Sequence, residues 1–205
     1  MANSTPFKTQ ILEKQVIFVH VPKAAGTSLK TAIYGERRVG GHRSIAEFAA
    51  FDADRTKRFY KCCFVRNPWD RLFSTYSFLV QGRETNKRDR QFARTYLDTD
   101  FENFVKRLQD ANFRRSVIAY DHFRPQTHWI CMPGSKTHMM DFVGRFENIQ
   151  ADTQILFSNL GVPDNRLQRV RSSNHEDYRN VYSAATRNIV QDVYRQDVEL
   201  LDYQF

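Results

Sequence analysis

The sequence predicts an α/β fold in which a central, mainly parallel sheet is flanked by helices. Three short apolar runs, 16–21, 59–65 and 141–146, are rich in β-branched or aromatic residues, as strands buried on both faces are. Segments with the helical spacing of apolar residues separate these runs, so strands and helices alternate along the chain. This alternation is typical of a parallel sheet whose strands are joined by helices.

The first strand follows a polar stretch. Residues 1–14 are predicted to be a weakly structured lead-in, and residues 15–205 to form a single domain. The strand 16–21 stops at Pro22, and helical spacing of the apolar residues begins at Gly26. The chain therefore opens with a strand, a tight loop and a helix.

Capping signals place the next helices. Ser44 and Glu47 have the spacing of a capping box, so a helix is predicted to begin at Ser44. After the second strand, Asn67 is suited to the N-cap and Pro68 to the first helical position, where its missing N–H costs nothing. We expect this helix to end at Gly82.

The remaining elements are predicted from the same signals. In order they are a helical region 87–120, the third strand, a helix 149–160 that ends before Gly161, a polar loop 166–179 and a last helix 183–203. The last helix carries its apolar residues on one stripe, as a helix packed on a core does. The charged run 83–94 is interpreted as a solvated helix face or loop.

Composition limits the class of protein and the type of partner. The chain has 205 residues, of which 41% are hydrophobic and 26% charged, so it can build a core. No apolar run reaches the roughly 20 residues of a membrane-spanning helix, and neither a membrane span nor a secretion signal is predicted. Lys and Arg outnumber Asp and Glu by 31 to 23, a net charge of +8 that favours anionic partners. The three cysteines form no CxxC pair, so we expect a reducing, cytoplasmic setting and no zinc site.

A first candidate binding loop lies at 21–28, between the first strand and its helix, with the sequence Val-Pro-Lys-Ala-Ala-Gly-Thr-Ser. Small residues let the backbone curve around an anion, and a helix start offers N–H groups with partial positive charge. Lys23 adds a full charge, and Thr27 and Ser28 add hydroxyl donors. The loop is not a Walker A motif, because its lysine precedes Gly26 by three residues instead of following the last glycine.

A second candidate segment, Phe-Val-Arg-Asn-Pro-Trp-Asp-Arg-Leu-Phe-Ser-Thr-Tyr, covers 64–76. Arg66 ends a buried strand, at the sheet edge where open parallel sheets bind ligands. Ser74 lies two helical turns further on, so both side chains are candidates for one anionic group. The alternative is structural, with Arg66 paired to Asp70 and Ser74 packed in the interior.

Taken together, the two segments closely resemble the cofactor motifs of sulfotransferases that use PAPS (3′-phosphoadenosine 5′-phosphosulfate). The resemblance is to the carbohydrate sulfotransferases, including the heparan sulfate 2-O type, whose first motif is also a Val-Pro-Lys loop. Gly41-His42, residues 143–148 and the end of the chain from Tyr194 extend it over 16–205, nearly the whole sequence. The resemblance implies a sulfotransferase fold with a P-loop-like central sheet, and no metal.

Site residues follow from the resemblance by position. It implies that the 5′-phosphosulfate is held by the first motif, at Lys23, Ala24, Ala25, Gly26, Thr27 and Ser28. It further implies that Arg66 and Ser74 hold the 3′-phosphate. The acceptor that it implies is the hydroxyl group of a saccharide. The charge on Lys23 is suited to stabilising the leaving phosphate.

A hydroxyl acceptor needs a base, and histidine is the natural choice near neutral pH. We predict His42, which lies between the two motifs and matches the catalytic histidine of the heparan-type enzymes. His20, Glu47 and Glu147 are alternatives, although His20 is better explained as a buried, hydrogen-bonded residue. His122, His128 and His138 lie in a loop-rich stretch and are candidates to shape the acceptor site. His175 is interpreted as a surface residue, with a polar loop that closes over the cofactor as the alternative. For residues 124–129 we favour core packing of Trp129, with a platform for a sugar as the alternative.

Two other classes of protein stay open at this point. A small-molecule kinase would bind ATP with Mg²⁺, although it needs the Walker lysine that the first motif lacks. A non-catalytic nucleic-acid-binding domain would explain the basic charge, and its affinity would fall steeply with salt. We predict neither a nucleic-acid partner nor a particular oligomeric state.

Overall fold

The computed structural model describes residues 5–36, 39, 41–82, 85–163 and 177–205. The chain divides into two compact units, one of Met1–Arg66 with Gln126–Ser172 and one of Asn67–Pro125 with Ser173–Phe205. The helices are α1 Thr9–Lys14, α2 Gly26–Tyr34, α3 Ile45–Phe51, α4 Ala53–Arg58, α5 Pro68–Gln81, α6 Lys87–Tyr96, α7 Phe101–Arg107, α8 Ala111–Ile118, α9 Thr127–Ile130, α10 Ile149–Leu160, α11 Ala184–Val193 and α12 Arg195–Leu200.

The first unit contains a parallel sheet of three strands in the order β1-β2-β3. The strands are β1 Val16–Val19, β2 Tyr60–Val65 and β3 Phe142–Arg145. Val19 pairs with Cys63 at the end of β1, and Val65 pairs with Arg145 at the end of β3. Helices of the same unit flank this sheet, so the predicted α/β class with a parallel sheet is confirmed.

The hydroxyl of Tyr34, the last residue of α2, satisfies two backbone groups of β1. It donates to the Val16 carbonyl at 2.9 Å and accepts the Phe18 N–H at 2.9 Å. Burial raises the pKa of Tyr34, because the phenolate would lie in an apolar interior. The phenol therefore stays protonated and able to donate.

The second unit is helical and has an aromatic core. Trp69 and Phe104 are among its buried residues, and the partly buried Phe205 packs edge-on against Trp69. Side chains of α5 fix loop backbones within this unit, since Arg71 donates to the carbonyls of His122 and Arg124 at 3.1 and 2.8 Å. In the part of the chain that the structure describes, every helix is too short or too polar to cross a membrane.

Several local predictions are confirmed. Ser44 and Glu47 form both hydrogen bonds of the capping box at the start of α3. Asn67 accepts the N–H of Trp69 at the start of α5, with Pro68 in the first turn and Gly82 at the C-cap. Gly161 ends α10 in a left-handed conformation, as predicted.

Other local predictions are wrong. The lead-in contains α1, because Phe7 and Ile11 are buried and anchor it. The last helix is broken at Tyr194 into α11 and α12. Tyr194 has φ −110°, outside the helical geometry, and its buried side chain donates through the hydroxyl to the Phe123 carbonyl at 2.8 Å. Helix α4 is an element that the sequence did not predict.

Candidate active site

The loop that joins β1 to α2 has an unusual backbone. Lys23 and Ala25 adopt left-handed conformations, with φ of 68° and 60°. A left-handed residue other than glycine costs roughly 1–2 kcal/mol, and such conformations cluster at functional sites. Ala24, between them, is buried, whereas Lys23 is half-buried. A turn of this kind points successive N–H groups into a concavity that suits an anion.

The start of α2 supplies further donors. Gly26, Thr27 and Ser28 are its first three residues, whose N–H groups have no partner inside a helix. Thr27 and Ser28 are half-buried, and among the described residues neither hydroxyl has a hydrogen-bond partner. The first motif therefore presents backbone and hydroxyl donors at the positive end of a helix.

Gly26 is needed because the imidazole of His20 lies directly against it. A Cβ atom on Gly26 would lie 2.0 Å from His20 Cδ2 and 2.5 Å from its Nε2. His20 is buried, with 8% of its surface exposed. The ring thus packs beneath the first turn of α2, which explains this glycine by sterics and not only by anion binding.

We expect Gly26→Ala to lower the free energy of unfolding by about 1–3 kcal/mol, because the added methyl overlaps the His20 ring. Denaturant unfolding would measure this loss. A double-mutant cycle with His20→Ala is the control, since the two losses should be less than additive. A Gly26→Ala protein as stable as wild type would contradict the packing of His20 against Gly26.

His42 also packs against the His20 ring. The ring centroids are 4.3 Å apart, and His42 Nδ1 is 3.3 Å from the His20 carbonyl oxygen. A carbonyl oxygen only accepts, so this contact places a proton on Nδ1 of His42 and makes Nε2 the basic nitrogen of the neutral ring. His42 is exposed and can reach a substrate. The predicted base, His42, therefore contacts His20, which in turn contacts Gly26 at the start of α2.

Arg66 meets the first motif. Its Nη1 donates to the Lys23 carbonyl at 3.3 Å, and its guanidinium lies 4.1 Å from the centroid of the Phe146 ring. Only 6% of Arg66 is exposed. Its backbone is held by Gln126, which accepts the Arg66 N–H at 2.9 Å and donates to the Arg66 carbonyl at 2.7 Å. The two predicted motifs thus come together at Lys23 and Arg66.

Ser74 lies in α5, in the second compact unit, and is buried with 2% of its surface exposed. Its assignment to the same phosphate as Arg66 stays a prediction.

Glu47 is poorly suited to the role of base. Its carboxylate accepts the Ser44 N–H at 2.8 Å and a hydrogen bond from Arg43 at 2.9 Å. Burial by itself would raise the pKa of Glu47, but these hydrogen bonds hold that pKa below its usual value. The carboxylate is therefore committed to the cap of α3.

Trp129 packs in the core, which confirms the favoured interpretation and excludes the platform for a sugar. Only 2% of its surface is exposed, so its indole packs in the core and offers no face to a ligand. His128 is exposed and packs edge-on against Trp129 at 5.0 Å, and His42 lies 6.1 Å from the same ring. His138 is exposed and accepts the Met140 N–H at 3.3 Å.

His122 belongs to the second unit, where its Nδ1 lies 4.0 Å from Asp89. His175 and most of the polar loop 166–179 lie outside the described residues. Among the residues that are described, no group of three or more His, Cys, Asp or Glu is placed to hold a metal ion. Cys62, Cys63 and Cys131 are buried, and none of the three forms a disulfide.

Sequence reasoning missed Gln126 and Phe146 as parts of the site. Both lie within candidate segments, residues 124–129 and 143–148, but no local pattern in the sequence points to their contacts with Arg66. The signal for Phe146 is its place at the end of the predicted strand 141–146, within a segment that the resemblance includes. A lone glutamine in a polar segment carried no comparable signal.

Comparison with known proteins identifies the family. A model of the sulfotransferase family matches residues 12–204, which span both compact units. An uncharacterized protein of Archaeoglobus fulgidus is 24% identical over 119 residues, which are 58% of this chain and 82% of the relative. Because the family match covers nearly the whole sequence, the chain belongs to the sulfotransferase family, whose reaction is the transfer of a sulfuryl group.

Proposed function

We propose that this chain transfers the sulfuryl group of PAPS to a hydroxyl of a saccharide, with His42 as the base and Lys23 at the leaving phosphate. The observation that carries the proposal is the hydrogen bond from Arg66 to the Lys23 carbonyl, at 3.3 Å. It joins two motifs that lie 43 positions apart and that each carry a cation. PAPS has two separated phosphate groups, so a cofactor of this kind suits a pair of cationic motifs.

The residues of the first motif fit a phosphate-like group. Its concave backbone, the helix start and the hydroxyls of Thr27 and Ser28 all offer donors, and Lys23 offers a charge. A phosphate brings the negative charge and the acceptor oxygens that such a set of donors favours. Preorganised donors of this kind stabilise charge that grows on a leaving phosphate.

PAPS supplies an activated SO₃ group on a phosphosulfate anhydride. His42 Nε2 accepts the proton of the acceptor hydroxyl, whose oxygen forms the new bond to sulfur as the bond from sulfur to the phosphate oxygen breaks. Lys23 and the N–H groups of α2 stabilise the charge that remains on the phosphate. His42 then releases its proton to solvent.

A saccharide acceptor is proposed from the resemblance to carbohydrate sulfotransferases and from the net charge of +8. A basic protein favours an acidic glycan through long-range attraction. A transfer assay with radiolabelled PAPS and a panel of acidic glycans, neutral glycans and simple alcohols tests this directly. Incorporation into alcohols or lipids with none into glycans would refute the acceptor class.

The choice of nucleotide is tested separately, by thermal unfolding with PAP, the desulfated cofactor, or with ATP and Mg²⁺. We expect PAP to raise the melting temperature, and to raise it further as the PAP concentration exceeds the dissociation constant. Stabilisation by ATP with Mg²⁺ and none by PAP would favour the kinase and refute the proposal.

We expect Arg66→Ala to weaken PAP binding by about 100-fold, because it removes a charged donor to a phosphate. Calorimetric titration measures the dissociation constant, and AMP, which lacks the 3′-phosphate, is the control ligand. AMP should bind the variant and the wild type about equally. Ser74→Ala tests the other predicted partner of this phosphate with the same two ligands. Equal PAP binding by Arg66→Ala and wild type would show that Arg66 does not hold the phosphate.

A further inference from the structure

The side chain of Gln126 holds both backbone groups of Arg66. Its Oε1 accepts the Arg66 N–H at 2.9 Å and its Nε2 donates to the Arg66 carbonyl at 2.7 Å. Gln126 is fully buried, and the two residues are 60 positions apart in the chain. A single amide therefore does for Arg66 what a neighbouring strand does for a residue within a sheet.

Arg66 needs such a partner because it lies just beyond the sheet. The pairing of β2 with β1 ends at Cys63, and its pairing with β3 ends at Val65. The N–H and carbonyl of the next residue lie in a buried environment, where an unpaired backbone group is costly. Gln126 satisfies both groups and fixes the peptide planes on either side of Arg66.

The other end of Arg66 is also held. The guanidinium stacks on Phe146 at 4.1 Å and donates to the Lys23 carbonyl at 3.3 Å. Gln126 thus fixes the backbone of Arg66, and Phe146 and the Lys23 carbonyl fix the position of its guanidinium. A cation held in this way loses little conformational freedom when it binds an anion.

We infer that Gln126 is a positioning residue for recognition of the 3′-phosphate, and that it acts through Arg66 without touching the nucleotide. This inference rests on the proposed function, which assigns Arg66 to that phosphate. It predicts that loss of the Gln126 hydrogen bonds weakens binding of PAP but not of AMP. A residue that only supports the fold would affect both ligands.

Two variants separate these roles. Gln126→Met keeps the length of the side chain and removes both hydrogen bonds. Gln126→Glu keeps the acceptor for the Arg66 N–H, but when it is ionised it has no donor and repels the Arg66 carbonyl oxygen. We expect each variant to bind PAP about 10-fold more weakly than wild type, with AMP binding changed less than about twofold. In the Arg66→Ala background, Gln126→Met should add less than about twofold, because the residue through which it acts is gone.

The pH provides a second readout. The carboxyl group introduced by Gln126→Glu has a donor for the Arg66 carbonyl only when it is protonated, and burial favours the protonated form. The ratio of the PAP dissociation constant of this variant to that of wild type should therefore fall towards one between about pH 8 and about pH 5.5. The Gln126→Met ratio should not change, since methionine does not titrate.

The outcomes are distinct. Unchanged PAP binding in both Gln126 variants, or equal losses of PAP and AMP binding, would overturn the positioning role. An additive effect of Gln126→Met in the Arg66→Ala background would also overturn it. If Arg66→Ala itself binds PAP as wild type does, the proposed function fails, and the inference fails with it.

Discussion

Replacing His42 with alanine is expected to lower the rate of sulfuryl transfer by about 10²–10⁴-fold, the usual contribution of a general base. The physical reason is that Nδ1 is committed to the His20 carbonyl at 3.3 Å, so Nε2 is the nitrogen that accepts the proton. Binding of PAP should stay within about twofold of wild type, because His42 acts on the acceptor. Initial rates with radiolabelled PAPS and calorimetric titration with PAP measure the two quantities.

A matched variant separates the chemical role of His42 from a structural one. His42→Asn keeps an N–H donor for the His20 carbonyl but has no basic nitrogen, so its rate should fall as far as that of His42→Ala. Glu13→Ala, a change at an exposed residue of α1 in the same unit, is the control and should leave the rate unchanged. A His42→Asn enzyme as active as wild type would move the base to another residue, with His20 the first to test.

Replacing Lys23 with alanine is expected to lower the rate by about 10²–10³-fold, as loss of a single stabiliser of developing charge does. The charge on the phosphate grows as the bond to sulfur breaks, so turnover should fall further than PAP binding does. Alanine is a suitable replacement, because Lys23 has φ of 68° and alanine, which also carries a Cβ, has the same backbone strain there. The variant therefore changes the side chain without changing the strain of the loop. The measurements are the rate at saturating PAPS and the dissociation constant of PAP.

Lys14→Ala is the control for the overall charge of the protein, because Lys14 is an exposed lysine at the end of α1. It should change neither the rate nor PAP binding. Lys23→Arg keeps the charge and should recover part of the lost rate. A Lys23→Ala enzyme with the wild-type rate would contradict the assignment of Lys23 to the leaving group.

The elements that the sequence predicted well depend on signals that are local. The capping box of Ser44 and Glu47 lies within one helical turn, and the N-cap at Asn67 is read together with Pro68 beside it. The three strands are marked by short runs of apolar residues. The interactions behind such patterns are between residues close in sequence, so they can be predicted without knowledge of the rest of the fold.

The predictions that failed, and the contacts that were missed, depend on residues far apart in the chain. At Tyr194, where the helix breaks, the side chain is hydrogen-bonded to a carbonyl 71 positions away, while the local spacing favours one continuous helix. The amide of Gln126 pairs with a backbone 60 positions away, and a glutamine in a polar segment carries no signal of this. Core packing of Trp129 was the favoured interpretation and is confirmed, but the 2% of the residue that stays exposed depends on neighbours that the local sequence does not reveal.

The contact between Tyr34 and β1 has a consequence for association between molecules. In the described sheet β1 is an outer strand, and outer strands invite a strand of another chain to add by backbone hydrogen bonding. The phenol already occupies the Val16 carbonyl and the Phe18 amide, two groups that an incoming strand would use. Tyr34 thereby protects this flank of the sheet against aggregation, and it does so without lengthening or charging the strand.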